Sequence, residues 1–473
     1  VRIRQSRRPR GPRRPDRHSL RFPGTAAYHR GGGEQGVRRG RSTRRGRSIR
    51  RIRPAVAALG ALALAAGPVL AGCGGSYDDG GRGPVRLTWY VYNESSGSFA
   101  KAAGDCSAAS KGRYTIGVNV LPNDSDGQRQ QLVRRLAAED SSMDILTLDV
   151  TWTAEFAEAG WIVPFPAADA KRLTDGMLPV AVETATWDDR LYAVPLNTNA
   201  QLLWYRKDLV PNPPKTWDAM LADAKRLAAE GKPHYVEVQG AQYEGYTVLF
   251  NSLVASAGGR ILSDDGAQVV LGPPAGKAVE AIRALAHSPA ADPSWSNQKE
   301  DDNRLAFETG SAAFQLNYPF IYPSAKQNNP KLAEQIGWTQ WPTLVAGQPS
   351  HTTVGGYNLA IGAHSRHRAE AAAAIECMTS RDNQIRTAID GGLAPTLEEL
   401  YTDQKFIDGG YPFAAAIYEA LQNASVRPQT PAYQSVSLQI AHTLSPPSSA
   451  STGQLGDLRS AIADAIESKG LVP

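Results

Sequence analysis

Residues 192–209 read YAVPLNTNAQLLWYRKDL, and the architecture follows from how this stretch is divided. Two short apolar runs, LYAVPL (191–196) and QLLWYR (201–206), flank the polar NTNA. Each run has strand length, and Asn and Thr between them favour a turn over a continuing element. The stretch therefore reads as two strands with a polar joint, where the chain leaves one folded region for another. Towards the N-terminus, strands alternate with helices. VRLTWYVY (85–92) is a predicted strand and Phe99–Ser107 a helix. RYTIGVNVL (113–121) is a strand and Gln128–Ala138 a helix, and MDILTLDV (143–150) is a strand followed by the short helix TAEFAEAG (153–160). Strands separated by helical segments predict βαβ units and a mainly parallel sheet.

Towards the C-terminus helices dominate. They are predicted over Trp217–Glu230, Tyr246–Ala257, Gly276–Ala286 and Asp302–Glu308. The strands SAAFQL (311–316) and GYNLAIG (356–362) follow, the second marking another crossing. Helices over Ala369–Met378, Phe413–Leu421, Tyr433–His442 and Leu455–Glu467 end the chain, and no internal repeat is visible. The expectation is an α/β fold with two discontinuous lobes, a hinge, and a ligand cleft between the lobes. Lobe 1 takes 85–196 plus 357–410, and lobe 2 takes 197–356 plus 411–473. Ligands in open α/β folds sit outside the carboxyl ends of strands, so the strand exits are where site residues are sought.

Charge is divided unevenly. The first 72 residues hold 19 arginines against Asp16 and Glu34, a surplus of +17, whereas the remainder carries −12. The excess positive charge therefore belongs to the leader, and a nucleic-acid partner is not expected. RRGRSIRRIR (44–53) followed by the uncharged Ala55–Ala71 has the form of a signal peptide, shorter in its apolar run than a membrane-spanning helix. The Arg/Gly/Pro-rich 1–36 is read as lying outside the native start, and twin arginines in the basic leader leave the general and the folded-protein export routes both open. Leu70-Ala71-Gly72-Cys73 resembles a bacterial lipobox. It implies cleavage before Cys73, lipidation of that thiol, and 73–84 as a flexible tether on the extracytoplasmic face of the membrane. The remaining cysteines, Cys106 and Cys377, are an even pair in an oxidising compartment. A disulfide is expected, with two buried thiols as the alternative.

Four segments, in order, are LDVTWTAEFAEAGWIVPF (148–165), YAVPLNTNAQLLWYRKDL (192–209), FETGSAAFQLNYPF (307–320) and GGYNLAIGAHSRHRAEA (355–371). With the lipobox, they resemble the extracytoplasmic sugar-binding proteins of ABC importers, the maltose/trehalose group, across nearly all of 84–473, and within it the actinobacterial trehalose-binding lipoproteins. The resemblance implies a hinged binder that closes on a disaccharide and presents it to the permease transmembrane subunits. It implies a monomer, no cofactor and no catalysis.

A sugar presents many hydroxyls and an apolar ring face, and so needs carboxylates, amides, an arginine and flat aromatics. The strand exits offer Asn93 and Glu94, Asn123 and Asp124, Asp149, and Asn197 with Asn199. Turn or helix-cap duty is the alternative for each. Tyr243 and Glu244 open a helix, where the acid also suits the dipole. Tyr318 stands where relatives carry a sugar-stacking aromatic, with core packing as its alternative. Gly355 and Gly356 precede the second crossing, as close-approach or hinge glycines. Arg427, in ASVRPQT (424–430), matches an arginine that contacts sugar in relatives, against the alternative of a solvated surface residue. Trp295, in a loop, either covers the cleft or packs beneath that loop. Two rival readings remain open, a secreted carbohydrate hydrolase using paired acids and an adhesive lipoprotein without a small ligand.

Overall fold

The computed structural model describes residues 83–467. The signal peptide, Cys73 and most of the tether lie outside the described residues. The strands are β1 (Val85–Tyr92), β2 (Tyr114–Leu121), β3 (Ile145–Asp149), β4 (Thr186–Trp187), β5 (Arg190–Leu191), β6 (Ala193–Asn199), β7 (Leu202–Arg206), β8 (Tyr235–Glu237), β9 (Ala312–Asn317), β10 (Ile336–Thr339) and β11 (Gly355–Ile361). They form a five-stranded sheet ordered β2-β1-β3-β11-β6, a four-stranded sheet ordered β10-β7-β9-β8, and the small hairpin β4-β5.

Strand directions decide where a ligand can sit. β1 runs parallel to β2 and β3, and β11 runs antiparallel to both β3 and β6. The carboxyl ends of β1, β2, β3 and β6 therefore share one edge with the amino end of β11. In the second sheet β9 is antiparallel to β7 and parallel to β8, so the exits of β8 and β9 meet the entry of β7. Only Ala200 and Gln201 separate β6 from β7, which sets the two edges against each other. The stretch 192–209 thus forms the first crossing between lobes.

Packing follows the periodicities. Along β7, Leu203 and Tyr205 point into a core with Trp217, Met220, Leu249 and Phe314. Leu202 and Trp204 point into another, with Phe307, Tyr411 and Phe413. The second sheet is thus covered on both faces. The helix Trp217–Ala229 buries Trp217, Met220, Leu221, Ala224 and Leu227 at helical spacing, and the Thr216 side chain caps it by accepting from Ala219 N–H. The first sheet has its own core, from Leu87 and Trp89 through Ile145 and Leu148 to Leu359 and Ile375. Ala388, Ala394, Leu400, Tyr401 and Phe406 lie in the stretch that the sequence reading gives to lobe 1, yet they pack with Trp204 and Phe413 of the second sheet's cover.

Cys106 and Cys377 form a disulfide with their Cα atoms 5.8 Å apart. It joins the helices Ser98–Ala109 and Arg368–Met378 over the first sheet. Among the described residues, no helix is long and apolar enough to cross a membrane. At the amino end of β11, Gly356 adopts φ +126°, and an ideal Cβ there would lie 2.3 Å from the Asn197 carbonyl oxygen. Only glycine combines that conformation with that approach, and the β11–β6 register shifts one residue later, between Tyr357 and Asn358.

Candidate functional site

On the first edge Asp149, the last residue of β3, stands opposite Tyr357 of β11, which also stands opposite Asn197 of β6. Tyr92, the last residue of β1, stacks on Tyr357 with ring centroids 4.3 Å apart and planes 24° apart. On the second edge Tyr318 follows β9, Glu244 begins the helix Glu244–Ser256 with Tyr243 before it, and Glu300 begins the helix Glu300–Glu308. The two sets face each other. Burial raises the Tyr357 hydroxyl above its ordinary pKa, and Asp149 from its own lobe and Glu300 from the other add to that rise. Burial likewise raises Tyr318, with Arg427 opposing. Tyr318 also approaches the first edge directly, its hydroxyl 3.6 Å from where a Cβ on Gly355 would lie.

Arg427 ties the edges together. Its loop is held by a single parallel β-bridge, with Ser425 N–H donating to the Thr352 carbonyl at 2.8 Å and Val354 N–H to the Ser425 carbonyl at 2.9 Å. The arginine is 4% exposed, so the solvated-surface alternative does not hold. Its Nη1 donates to Glu244 Oε1 at 2.5 Å and its Nη2 to Asp149 Oδ1 at 3.2 Å, joining an acid of each lobe. Glu244 also accepts from the Tyr433 hydroxyl at 2.5 Å and from the Ser437 hydroxyl. Even so, burial pushes Glu244 up to about 7, with Arg427 opposing and Asp149 reinforcing the rise. Two further contacts cross the cleft at its rim. Lys299 Nζ lies 3.8 Å from Asp124 Oδ2, and the Gln434 amide donates to Asp126 at 3.0 Å.

The structure thus brings Asp149, Asn197, Tyr243, Glu244, Tyr318, Gly355, Gly356 and Arg427 to facing edges. Others have local duties. Glu94 accepts from Ser96 N–H at 2.6 Å, and from the Ser98 backbone and hydroxyl, at the start of the first helix. Asp124 caps the helix Ser125–Leu136 by accepting from Gly127 N–H, while its other oxygen meets Lys299. Asn93 and Asn123 are exposed. Trp295 is 4% exposed and packs in the second lobe's core, its ring 2.4 Å from where a Cβ on Gly240 would lie, so it sits beneath its loop. Sequence reasoning missed Tyr92, Tyr357, Glu300 and Lys299. A tyrosine ending an apolar strand reads as core, although Tyr357 follows the two glycines already singled out.

A cavity of about 450 Å³ opens on the far side of the Arg427 loop, lined by Glu183, Asn251, Arg260, His351, Ser425 and Gln429 among others. Of the sequence candidates, only Arg427 borders it. The facing edges supply carboxylate and amide acceptors, aromatic faces and a buried guanidinium. That set can grip a polar, uncharged ligand with an apolar face.

Residues 100–385 match the family model described as bacterial extracellular solute-binding protein. A probable ABC transporter-binding protein of Deinococcus radiodurans is 30% identical over 335 residues, covering 68% of this chain and 78% of that one. The diacetylchitobiose binding protein DasA of Streptomyces coelicolor is 23% identical over 389 residues, covering 78% and 87%. Among solved structures, maltose-bound MalE3 of T. maritima superposes with a TM-score of 0.73 at 28% identity, covering 81% of this chain and 99% of that one. Two facing sheets joined by a short crossing are the two-lobed architecture of these binders, and the chain belongs to the bacterial extracellular solute-binding protein family, whose members bind solutes rather than transform them.

Proposed function

We propose that the protein is the substrate-binding component of an ABC sugar importer. Its ligand is a disaccharide of α-linked glucose units, trehalose or a maltose-like sugar, which it delivers to the permease transmembrane subunits as a monomer. Lipid on Cys73 holds it at the extracytoplasmic face of the membrane. The observation that carries the reading is Arg427, buried between Asp149 of one lobe and Glu244 of the other and flanked by Tyr433 and Tyr318. Asp149, Glu300 and Asn197 supply acceptors for hydroxyls, and the tyrosines supply ring faces. Solved and curated relatives whose names mention maltose and diacetylchitobiose support a sugar. Hinge motion at the crossings between β6 and β7 and between β10 and β11 closes the lobes over the ligand and exposes the surface the permease recognises.

The test is a thermal-shift screen with trehalose, maltose, maltotriose, sucrose and cellobiose. A sugar present at 100 times its Kd stabilises the protein by about 2.7 kcal/mol. Trehalose or maltose is expected to give the largest shift. If no sugar at millimolar concentration moves the transition, the reading fails. If cellobiose leads, the α-linked specificity fails.

A further inference from the structure

Asn317 is the last residue of β9 and is fully buried. Its strand neighbours Phe314 and Leu316 lie in the core, while Gln315, two residues back, is a second fully buried amide. A buried amide is costly unless its hydrogen bonds are made. Here they are made to two backbone positions on the cleft edge. Asn317 Oδ1 accepts from Tyr318 N–H at 2.9 Å, and its Nδ2 donates to the Glu300 carbonyl at 3.0 Å and to Gln315 Oε1 at 3.2 Å. Tyr318 lies one residue past the strand, where the sheet ladder no longer holds its backbone, and Glu300 is the first residue of its helix. Burial raises the Glu300 carboxyl above its ordinary pKa, with Tyr243 opposing the rise.

The same pattern extends behind the edge. Gln201, in the crossing, donates to Gln239 at 2.8 Å. Gln239 donates to Asn303 on the Glu300 helix at 3.2 Å and to the Leu316 carbonyl at 3.4 Å. Buried amides therefore brace the crossing, β9 and the helix that carries Glu300 against one another, and Asn317 is the member that touches the two cleft positions.

We propose that Asn317 is a positioning residue for ligand binding, its single amide fixing Tyr318 and Glu300 in the relation that receives the ligand. This rests on the proposal that the ligand lies between the facing edges. Asn317 has no exposed surface and so acts through Tyr318 and Glu300, not by contact. Its effect on affinity must then depend on their presence, which distinguishes positioning from general stability.

The experiment measures Kd for the best sugar of the screen by calorimetric titration, together with the ligand-free melting temperature. Asn317→Leu is compared with Gln384→Leu, which removes a buried amide holding the backbone of Thr396 and Leu397 away from the cleft. Asn317→Leu is expected to weaken binding tenfold or more, and Gln384→Leu less than threefold, although both lower the ligand-free melting temperature. In a Tyr318→Ala background, Asn317→Leu is expected to cost less than threefold. Asn317→Asp, which keeps the acceptor for Tyr318 N–H, serves if the leucine variant does not fold, with an intermediate loss expected. Unchanged affinity in the Asn317 variants overturns the proposal, as does the same fold-loss with and without Tyr318. If no sugar binds the wild type, the parent reading falls and takes this one with it. If sugar binds and Asn317 is indifferent, only this one falls.

Discussion

Replacing Arg427 by alanine leaves the buried Glu244 and the half-buried Asp149 as neighbouring acids without their shared cation. An arginine open to water would matter only once sugar is bound. At 4% exposure it matters in the ligand-free protein too. Breaking a buried pair costs about 3–5 kcal/mol, most of it the penalty of the charge left behind. With an unfolding entropy of about 2.1 cal/mol/K per residue, roughly 4 kcal/mol over the described chain lowers Tm by about 5 °C. The loss must depend on pH. Glu244 already titrates up to about 7, and without Arg427 its pKa rises further. A carboxyl whose folded pKa lies above its unfolded value favours the folded state at acid pH, and that advantage drains away as pH rises towards the folded pKa. The deficit of Arg427→Ala is therefore expected to be larger at pH 8 than at pH 5.5, and Glu244→Gln in the same chain is expected to restore a good part of it. Differential scanning calorimetry at the two pH values, without ligand, reads this directly. A variant melting within about 1 °C of wild type at both would refute the view that Arg427 neutralises acids of both lobes.

Mass spectrometry of the unreduced, exported protein is expected to show one peptide pair linked through Cys106 and Cys377. Reducing it is expected to cost about 5.6 kcal/mol in loop-closure entropy, since the bridge closes a loop of 271 residues. Glu237 is fully buried, and burial, reinforced by Asp292, pushes it up to about 8 from an ordinary 4.5. Wild type should therefore lose about 3 kcal/mol of stability between pH 5.5 and 8, a loss absent in Glu237→Gln. Urea unfolding at the two pH values measures the difference, and parallel behaviour of the two proteins would show the group is not protonated in the fold. Cys73→Ala is expected to move the protein from the membrane fraction to the medium in a strain lacking the permease. Retention at the membrane would remove the lipid-anchor reading.

The long elements were legible because their patterns are strong. VRLTWYVY and GYNLAIG alternate or run apolar over strand length, and Trp217–Ala229 keeps helical spacing for three turns. What stayed hidden lacked pattern. β8 and β10 have three and four residues, too few to show a period, and the helix Arg381–Gly391 is largely polar. The site divides along similar lines. Asp149, Glu244 and Arg427 carry charge at element ends and stand out in a sequence, although nothing in the sequence puts them in contact. Glu94 and Asp124 stand out for the same reason, yet their oxygens serve helix starts, the other use of an acid in that place. Tyr92 and Tyr357 needed the strand order, because only the placement of β11 beside β3 with β1 beyond it lets the two rings stack.

A crystal structure of the protein with the best sugar of the screen would locate the ligand. The account expects the sugar between the facing edges, a ring face against Tyr318 or Tyr357 and hydroxyls within about 3.2 Å of Asp149, Glu300 or Arg427. Sugar seated instead in the cavity beside Asn251 and Arg260, with the facing edges empty, would contradict it.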